Sequence, residues 1–246
     1  MSDFRYYQDK INSYLAGLNL IDDANYLLLN PGRRLRPVLT CLWARHIGTP
    51  IQEVLPYAAA VEIIHTASLI HDDLPCMDNA DTRRDLLCLH KTVGEARAVV
   101  VGDYLITQAY KVILNNTTHD SSAMIGALNL LQLGSECVML GQIGELVDCD
   151  ISYINRSKTA SLFGSACALG CICNNMKLHQ LQSAHEFGIC FGFAYQYLDD
   201  LRDGDGASKT LKRSEIDDII QENVNKCKHI AQDDPELMQL IDAVFK

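Results

Sequence analysis

The chain is poor in several features that mark common protein classes. In 246 residues it has six prolines, one tryptophan and 7% aromatics, with few runs in which β-branched and polar residues alternate. Sandwiches and barrels need that alternation, so an all-β fold is excluded. It has no repeat of fixed period, no low-complexity tract and no Gly/Ser linker, and a single domain over residues 1–246 is expected. Met1 to Lys10 contain no basic segment followed by an apolar one, so no secretory signal is read there. The longest uncharged stretch, between Lys158 and Lys177, is broken by Gly164, Ser165, Gly170, Asn174 and Asn175. That pattern suits a buried helix and argues against a membrane span. The tightest of the ten cysteines, Cys167, Cys171 and Cys173, lack the spacing of a zinc ribbon and sit among Ala, Leu, Gly and Ile. They are expected to be buried free thiols in a reducing cytoplasm. Basic groups are also in deficit, 21 against 31 acidic ones, giving a formal charge of -10. Like charges repel, so at first sight the balance argues against nucleic acid, anionic membranes and phosphate ligands as partners.

What is present is helical. Hydrophobic residues make up 48% of the chain and recur at intervals of three and four. Helices are predicted over roughly 5–18, 34–47, 51–75, 93–114, 121–147, 157–174 and 181–203, with two shorter ones after 213. Loops are expected at 30–32, 77–91, 115–120 and 204–206. Val54 to Ile70 and Phe187 to Leu198 are apolar all round, which makes them central helices of a large all-α bundle.

Two clusters of aspartates each close an apolar helix. The first is His71-Asp72-Asp73-Leu74-Pro75-Cys76-Met77-Asp78, and the second is Gln196-Tyr197-Leu198-Asp199-Asp200-Leu201-Arg202-Asp203. Asp199 and Asp203 are four residues apart and share a helix face. Carboxylates are electrostatically misplaced at a helix C-terminus. A cation should compensate, and hard oxygen ligands on rigid helices suit Mg2+, which commonly binds carboxylates together with water and phosphate. Two such clusters facing each other would clamp a polyphosphate. Gly32-Arg33-Arg34-Leu35-Arg36-Pro37 and Arg83-Arg84 supply guanidinium groups suited to phosphate oxygens.

These motifs, in this order, resemble the trans-isoprenyl diphosphate synthases of the polyprenyl synthetase family, which make farnesyl and geranylgeranyl diphosphate. The likeness includes the Gly-Arg-Arg-Leu-Arg-Pro block, Glu62 to Asp73, Gly102-Asp103, Gly141-Gln142, Lys158-Thr159, and Gln196 before Asp199-Asp200. It implies an isoprenoid-synthase-type helical bundle around a deep apolar cavity, with both aspartate motifs at its mouth. Asp72 and Asp78 would hold two Mg2+ and Asp199 a third, with Asp73, Asp200 and Asp203 as ligands or support. Arg83 would bind the allylic diphosphate (dimethylallyl, geranyl or farnesyl), and Arg33, Arg36, His65 and Arg84 would bind isopentenyl diphosphate. Lys158, Thr159 and Gln196 would flank the scissile bond. The implied reaction is head-to-tail (1'-4) prenyl transfer in a cytoplasmic homodimer. In such enzymes the residues about one turn before the first motif floor the tail cavity. Ala67 and Ser68 are small, so geranylgeranyl diphosphate or a longer product is expected over farnesyl diphosphate.

Two departures stand out. Asp85 follows Arg83-Arg84 where the family carries glycine, and the segment after Asp203 is short, leaving Lys209 or Lys212 to replace a closing-loop lysine. They leave room for a second reading, a silent subunit that modulates a partner synthase. A terpene cyclase is disfavoured by the second motif, and a di-iron bundle by the presence of a single Glu-x-x-His, Glu62 to His65. The six aspartates of the two motifs also account for most of the acidic excess. With about three Mg2+ bound, the local field changes sign, and the acidity becomes a means of binding phosphate.

Overall fold

The computed structural model describes residues 4–30, 32–116, 120–172 and 177–246. Three helices form the first layer: α1 (Arg5–Gly17), α2 (Asp22–Leu28) and α3 (Leu35–His46). They pack against α4 (Ile51–Asp72), which ends at the first aspartate pair. A short hairpin, β1 (Thr82–Arg83) and β2 (Leu86–Leu87), leads into α5 (Leu89–Val93), α6 (Glu95–Leu114) and α7 (Ser121–Leu146). The chain then forms α8 (Ile151–Ile154), one π turn (Asn155–Ala160), α9 (Ser161–Cys171) and α10 (Leu178–Asp203). A 3-10 turn (Gly206–Lys209) connects to α11 (Arg213–Ile230) and α12 (Pro235–Phe245).

Burial follows from the apolar pattern. Every residue of α9 is buried, and α9 lies among α3, α7 and α10. α4 is apolar all round and is enclosed by α3, α6 and α9. One hydrophobic cluster runs from Phe4 to Val244, and Phe163, Phe187 and Phe191 stack at its centre. The C-terminal helices are tied back by Asp234, which caps α12 through the backbone N–H groups of Glu236 and Leu237 and pairs with Arg45 and His46. By length and composition α4 and α7 could each cross a membrane; the most apolar window is 72% buried in α4 but 28% buried in α7.

The predicted helices are present, with shifted ends and three additions. α2 escaped prediction because seven residues give too little periodicity. Gly94, at φ 86°, separates α5 from α6, so the helix expected from residue 93 begins at Glu95. The segment expected to be a loop at 77–91 contains the hairpin and α5. α4 stops at Asp72 rather than residue 75, before Pro75. Of the three grouped cysteines, Cys167 and Cys171 are buried and free, and Cys173 lies outside the described residues. Pro31 and residues 117–119 of the expected loops also lie outside them.

Candidate active site

Three cavities meet between the C-terminal ends of α4 and α10. One, of about 480 Å3, is cationic; Arg33, Arg36, His65, Arg83 and Arg84 are on its walls. A second, of about 340 Å3, is apolar and runs between α4, α6 and α7. A third, of about 310 Å3, is acidic and contains Asp78, Glu145, Asp200 and Asp203. Asp72 and Ser68 belong to both the cationic and the apolar cavity. Lys158, Thr159, Gln196 and Arg83 belong to both the cationic and the acidic one.

At the end of α4 the two adjacent aspartates point different ways. Asp73 is 1% exposed, and its Oδ1 accepts from Arg83 Nε at 2.8 Å and Nη2 at 2.5 Å. Asp72 faces the cavities. Burial pushes its carboxyl up to about 6, Lys158 pulls it down, and Asp78 and Glu145 push it up further. The chain then turns so that the Asp78 N–H donates to the Asp72 carbonyl at 2.9 Å, leaving the Asp78 carboxylate exposed in the acidic cleft.

The end of α10 repeats the division. Asp200 is buried and accepts from Gln196 Nε2 (2.7 Å), Asn155 Nδ2 (3.2 Å) and the Ala207 N–H (3.0 Å). Asp199 lines the cationic cavity, where burial and then Asp203 raise its pKa. Asp203 is exposed in the acidic cleft. Gly206 is required here: its φ is 51°, and a Cβ would lie 2.7 Å from the Asp200 carboxylate.

Lys158 and Thr159 are presented by the π turn, a device that is over-represented at functional sites. The turn lies so close to α7 that a Cβ on Gly141 would come within 2.3 Å of the Lys158 backbone nitrogen, which explains a glycine at that point of the Gly141-Gln142 pair. Lys158 Nζ is 2.6 Å from Glu145 and 3.6 Å from Asp72. The Thr159 hydroxyl donates to Gln196 Oε1 at 2.7 Å, so Thr159, Gln196 and Asp200 form a continuous hydrogen-bonded chain.

The arginines divide in the same manner as the aspartates. Arg34, in the left-handed conformation before α3, is buried and committed to Glu62, the Leu28 carbonyl and Asn12. Arg84 donates to Glu62 and to the Leu27 and Asn30 carbonyls while still lining the cavity. Arg36 lies 4.2 Å from the Phe163 ring centroid and 3.3 Å from His65 Nε2, and burial lowers its pKa to about 10. Burial, followed by Arg36, Arg84, Arg34 and Arg83, holds His65 well below its ordinary value, so it is a neutral ring. Arg33 is exposed and donates to the Tyr195 hydroxyl at 3.2 Å.

Ala67, 1% exposed, and Ser68 lie on the wall of the apolar cavity, together with Ile106, Ser135 and Val138 from α6 and α7. Asp85 is exposed at the corner of the hairpin, in the left-handed region at φ 63°, and is not on the wall of any of the three cavities. Lys209 is paired with Asp205, and the Lys212 backbone caps α11 through Glu215; neither lines the cavities. Glu145, Asn155 and Tyr195 are site residues that the sequence did not single out. Tyr195 stands one turn before Asp199, and that spacing is the one signal that could have found it.

The donors of the acidic cleft are carboxylate and amide oxygens, a set that suits a hard divalent cation. Among the described residues no three His, Cys, Asp or Glu converge to enclose a metal ion alone. A cation between the facing clusters would complete its shell with water and with oxygens of a ligand, as Mg2+ characteristically does. The carboxyl groups of Asp72 and Asp199, raised by burial and by neighbouring carboxylates, fit that need for positive charge.

Residues 19–245 match a family model described as polyprenyl synthetase. The chain is 35% identical over 228 residues to geranylgeranyl pyrophosphate synthase 7, chloroplastic, of Arabidopsis thaliana, covering 88% of this chain and 66% of that one. It is 34% identical over 219 residues to a farnesyl diphosphate synthase of Micrococcus luteus, covering 85% and 75%. The chain spans 56 to 66% of the length of the first plant relatives it matches. A geranyltransferase from Helicobacter pylori superposes with a TM-score of 0.88 at 24% identity over 100% of this chain and 98% of that one. A geranyltransferase from Helicobacter pylori complexed with magnesium and isoprenyl diphosphate superposes at 0.82 and 23% identity, covering 99% of this chain and 95% of that one. At these identities the likeness concerns the fold.

Proposed function

Since the chain belongs to the polyprenyl synthetase family, we propose that it condenses isopentenyl diphosphate with an allylic diphosphate, head to tail, in a Mg2+-dependent reaction. The observation that carries this reading is the meeting of three cavities, cationic, acidic and apolar, at Asp72 and Lys158. The division suits one substrate with a diphosphate head and a long apolar tail and a second whose diphosphate carries only a short alkenyl group.

Asp72, Asp78 and Asp199 would hold the magnesium ions, about three, with Asp203 beside them and Asp73 and Asp200 as supports. When bound, these ions supply positive charge to the departing diphosphate. Arg83, fixed by Asp73, and Lys158 donate to the same leaving group. Breaking its carbon–oxygen bond leaves an allylic cation in the apolar cavity, away from water. Arg33, Arg36 and Arg84, with the neutral His65, hold isopentenyl diphosphate so that its double bond supplies the electrons of the new carbon–carbon bond. The proton lost from the adjacent carbon passes to the released diphosphate, which regenerates an alkene without a protein nucleophile.

Ala67 and Ser68 support a product of geranylgeranyl length or longer over farnesyl. Ala67→Tyr is expected to shorten the product by at least one isoprene unit on chromatography, and an unchanged length sinks this part of the reading. On α7, Leu133 and Leu140 are about half exposed and lie off the apolar cavity, which supports association with a second copy; light scattering is expected to give twice the chain mass. A cytoplasmic location stands beside the plastid named for the plant relatives, and cell fractionation decides between them.

The deciding experiment is an assay of purified protein with Mg2+, isopentenyl diphosphate and each allylic primer in turn. Formation of a longer prenyl diphosphate is expected. No product with any primer overturns the reading and favours a silent subunit of a heteromeric synthase.

A further inference from the structure

The wall of the cationic cavity opposite α3 contains an aromatic residue with a polar tip. Tyr195 is on α10, one turn before Asp199, and is half-buried. Its ring lies 5.7 Å from that of Phe163 on α9, and Phe163 in turn carries Arg36 at 4.2 Å. The Arg33 guanidinium carbon is 6.0 Å from the Tyr195 ring centroid, and Nη1 donates to the phenolic oxygen at 3.2 Å. Arg33, just before α3, and Arg36, in its first turn, are thus seated on an aromatic pair from α9 and α10. Seating a guanidinium against a ring leaves in-plane N–H groups free for phosphate oxygens.

We propose that Tyr195 is a substrate-positioning residue: its hydroxyl holds Arg33 over the cavity and donates a hydrogen bond to the diphosphate of isopentenyl diphosphate. This rests on the condensation reading above. A phenol that accepts from an arginine still has one hydrogen to give. Burial and then Asp199 push the Tyr195 hydroxyl above its ordinary value, so it remains protonated at neutral pH. A neutral donor suits this point between Arg33 and Asp199, since a lysine here would pair with the carboxylate. Without the hydroxyl, Arg33, itself exposed, loses its tether across the cavity.

The test is Tyr195→Phe, which removes a single oxygen and keeps the ring. The KM for isopentenyl diphosphate is expected to rise about tenfold, the loss of one hydrogen bond to a charged group, while the KM for the allylic substrate and the melting temperature stay within error. Combined with Arg33→Ala, the second substitution should add less than twofold, because the two groups act together. Calorimetric titration with inorganic diphosphate in EDTA should show the same weakening without turnover. If the wild type makes no product, the functional reading fails and the calorimetric arm still decides the role of Tyr195. The proposal is overturned if both KM values and the diphosphate affinity are unchanged, or if both KM values rise together with a fall in melting temperature.

Discussion

The ends of α4 and α10 carry the same pair of residues, two consecutive aspartates, and use them alike. Asp72 and Asp199 face the cationic cavity, whereas Asp73, away from the three cavities, and Asp200, at the edge of the acidic one, are buried against their partners and each hold the chain that follows. The inner partners differ. Asp73 is satisfied by a cation, Arg83, that lines the cavity; Asp200 is satisfied by neutral donors, Gln196, Asn155 and the Ala207 N–H. Loss of Asp73 therefore unseats a charge, whereas loss of Asp200 frees a loop and the Thr159–Gln196 chain. A motif that reads as a row of equivalent ligands separates into outward carboxylates that bind and inward ones that build.

The largest expected effect breaks the comparison across this division. Asp72→Asn and Asp199→Asn should each lower turnover by about 100-fold or more, with a melting temperature equal to or above wild type, because each removes a crowded carboxylate. Equal losses of stability in both variants would refute the division. Next, Asp73→Ala should destabilise by about 3 kcal/mol in denaturant titration, the low end for breaking a buried ion pair because Arg83 is partly exposed. Asp200→Ala should cost about 2 kcal/mol, since it strands neutral donors. A larger loss at Asp200 would reverse the order of the two ends. The smallest effect concerns a third buried aspartate, far from both. Burial raises the pKa of Asp234, but the Leu237 N–H, His46 and Arg45 outweigh burial and hold it below the ordinary value. A depressed pKa gives stability that is complete above the unfolded value of about 3.9 and lost as pH falls through the folded one. Acid unfolding of the wild type should therefore steepen below about pH 4, and Asp234→Asn should remove that part of the slope.

The helical class was legible because α4 and α10 repeat apolar residues at helical spacing up to an aspartate that the dipole disfavours. The grouping of Arg33, Arg36 and Arg83 with these aspartates was legible as charge in an otherwise acidic chain, whereas Lys158 was legible only through the family resemblance. What remained hidden depends on long-range partners. The burial of Arg34 follows from Glu62, 28 residues away, and nothing local separates it from Arg33 and Arg36. Glu145 becomes part of the site only because Gly141 lets the next segment approach α7. The tight hairpin at Arg84-Asp85 places two non-glycine residues at positive φ, so it lacked the glycine that normally announces such a turn.

The π turn at Asn155–Ala160 has a consequence for the helix that continues from it. One added residue advances the phase of everything downstream by about 100°. α9 is enclosed on every side and so offers no face on which a lysine could remain wet. The phase break allows the preceding turn to obey the cavity while α9 obeys the core. A deletion within Asn155–Ala160 would rotate one against the other, forcing a choice between burying Lys158 and unpacking Phe163.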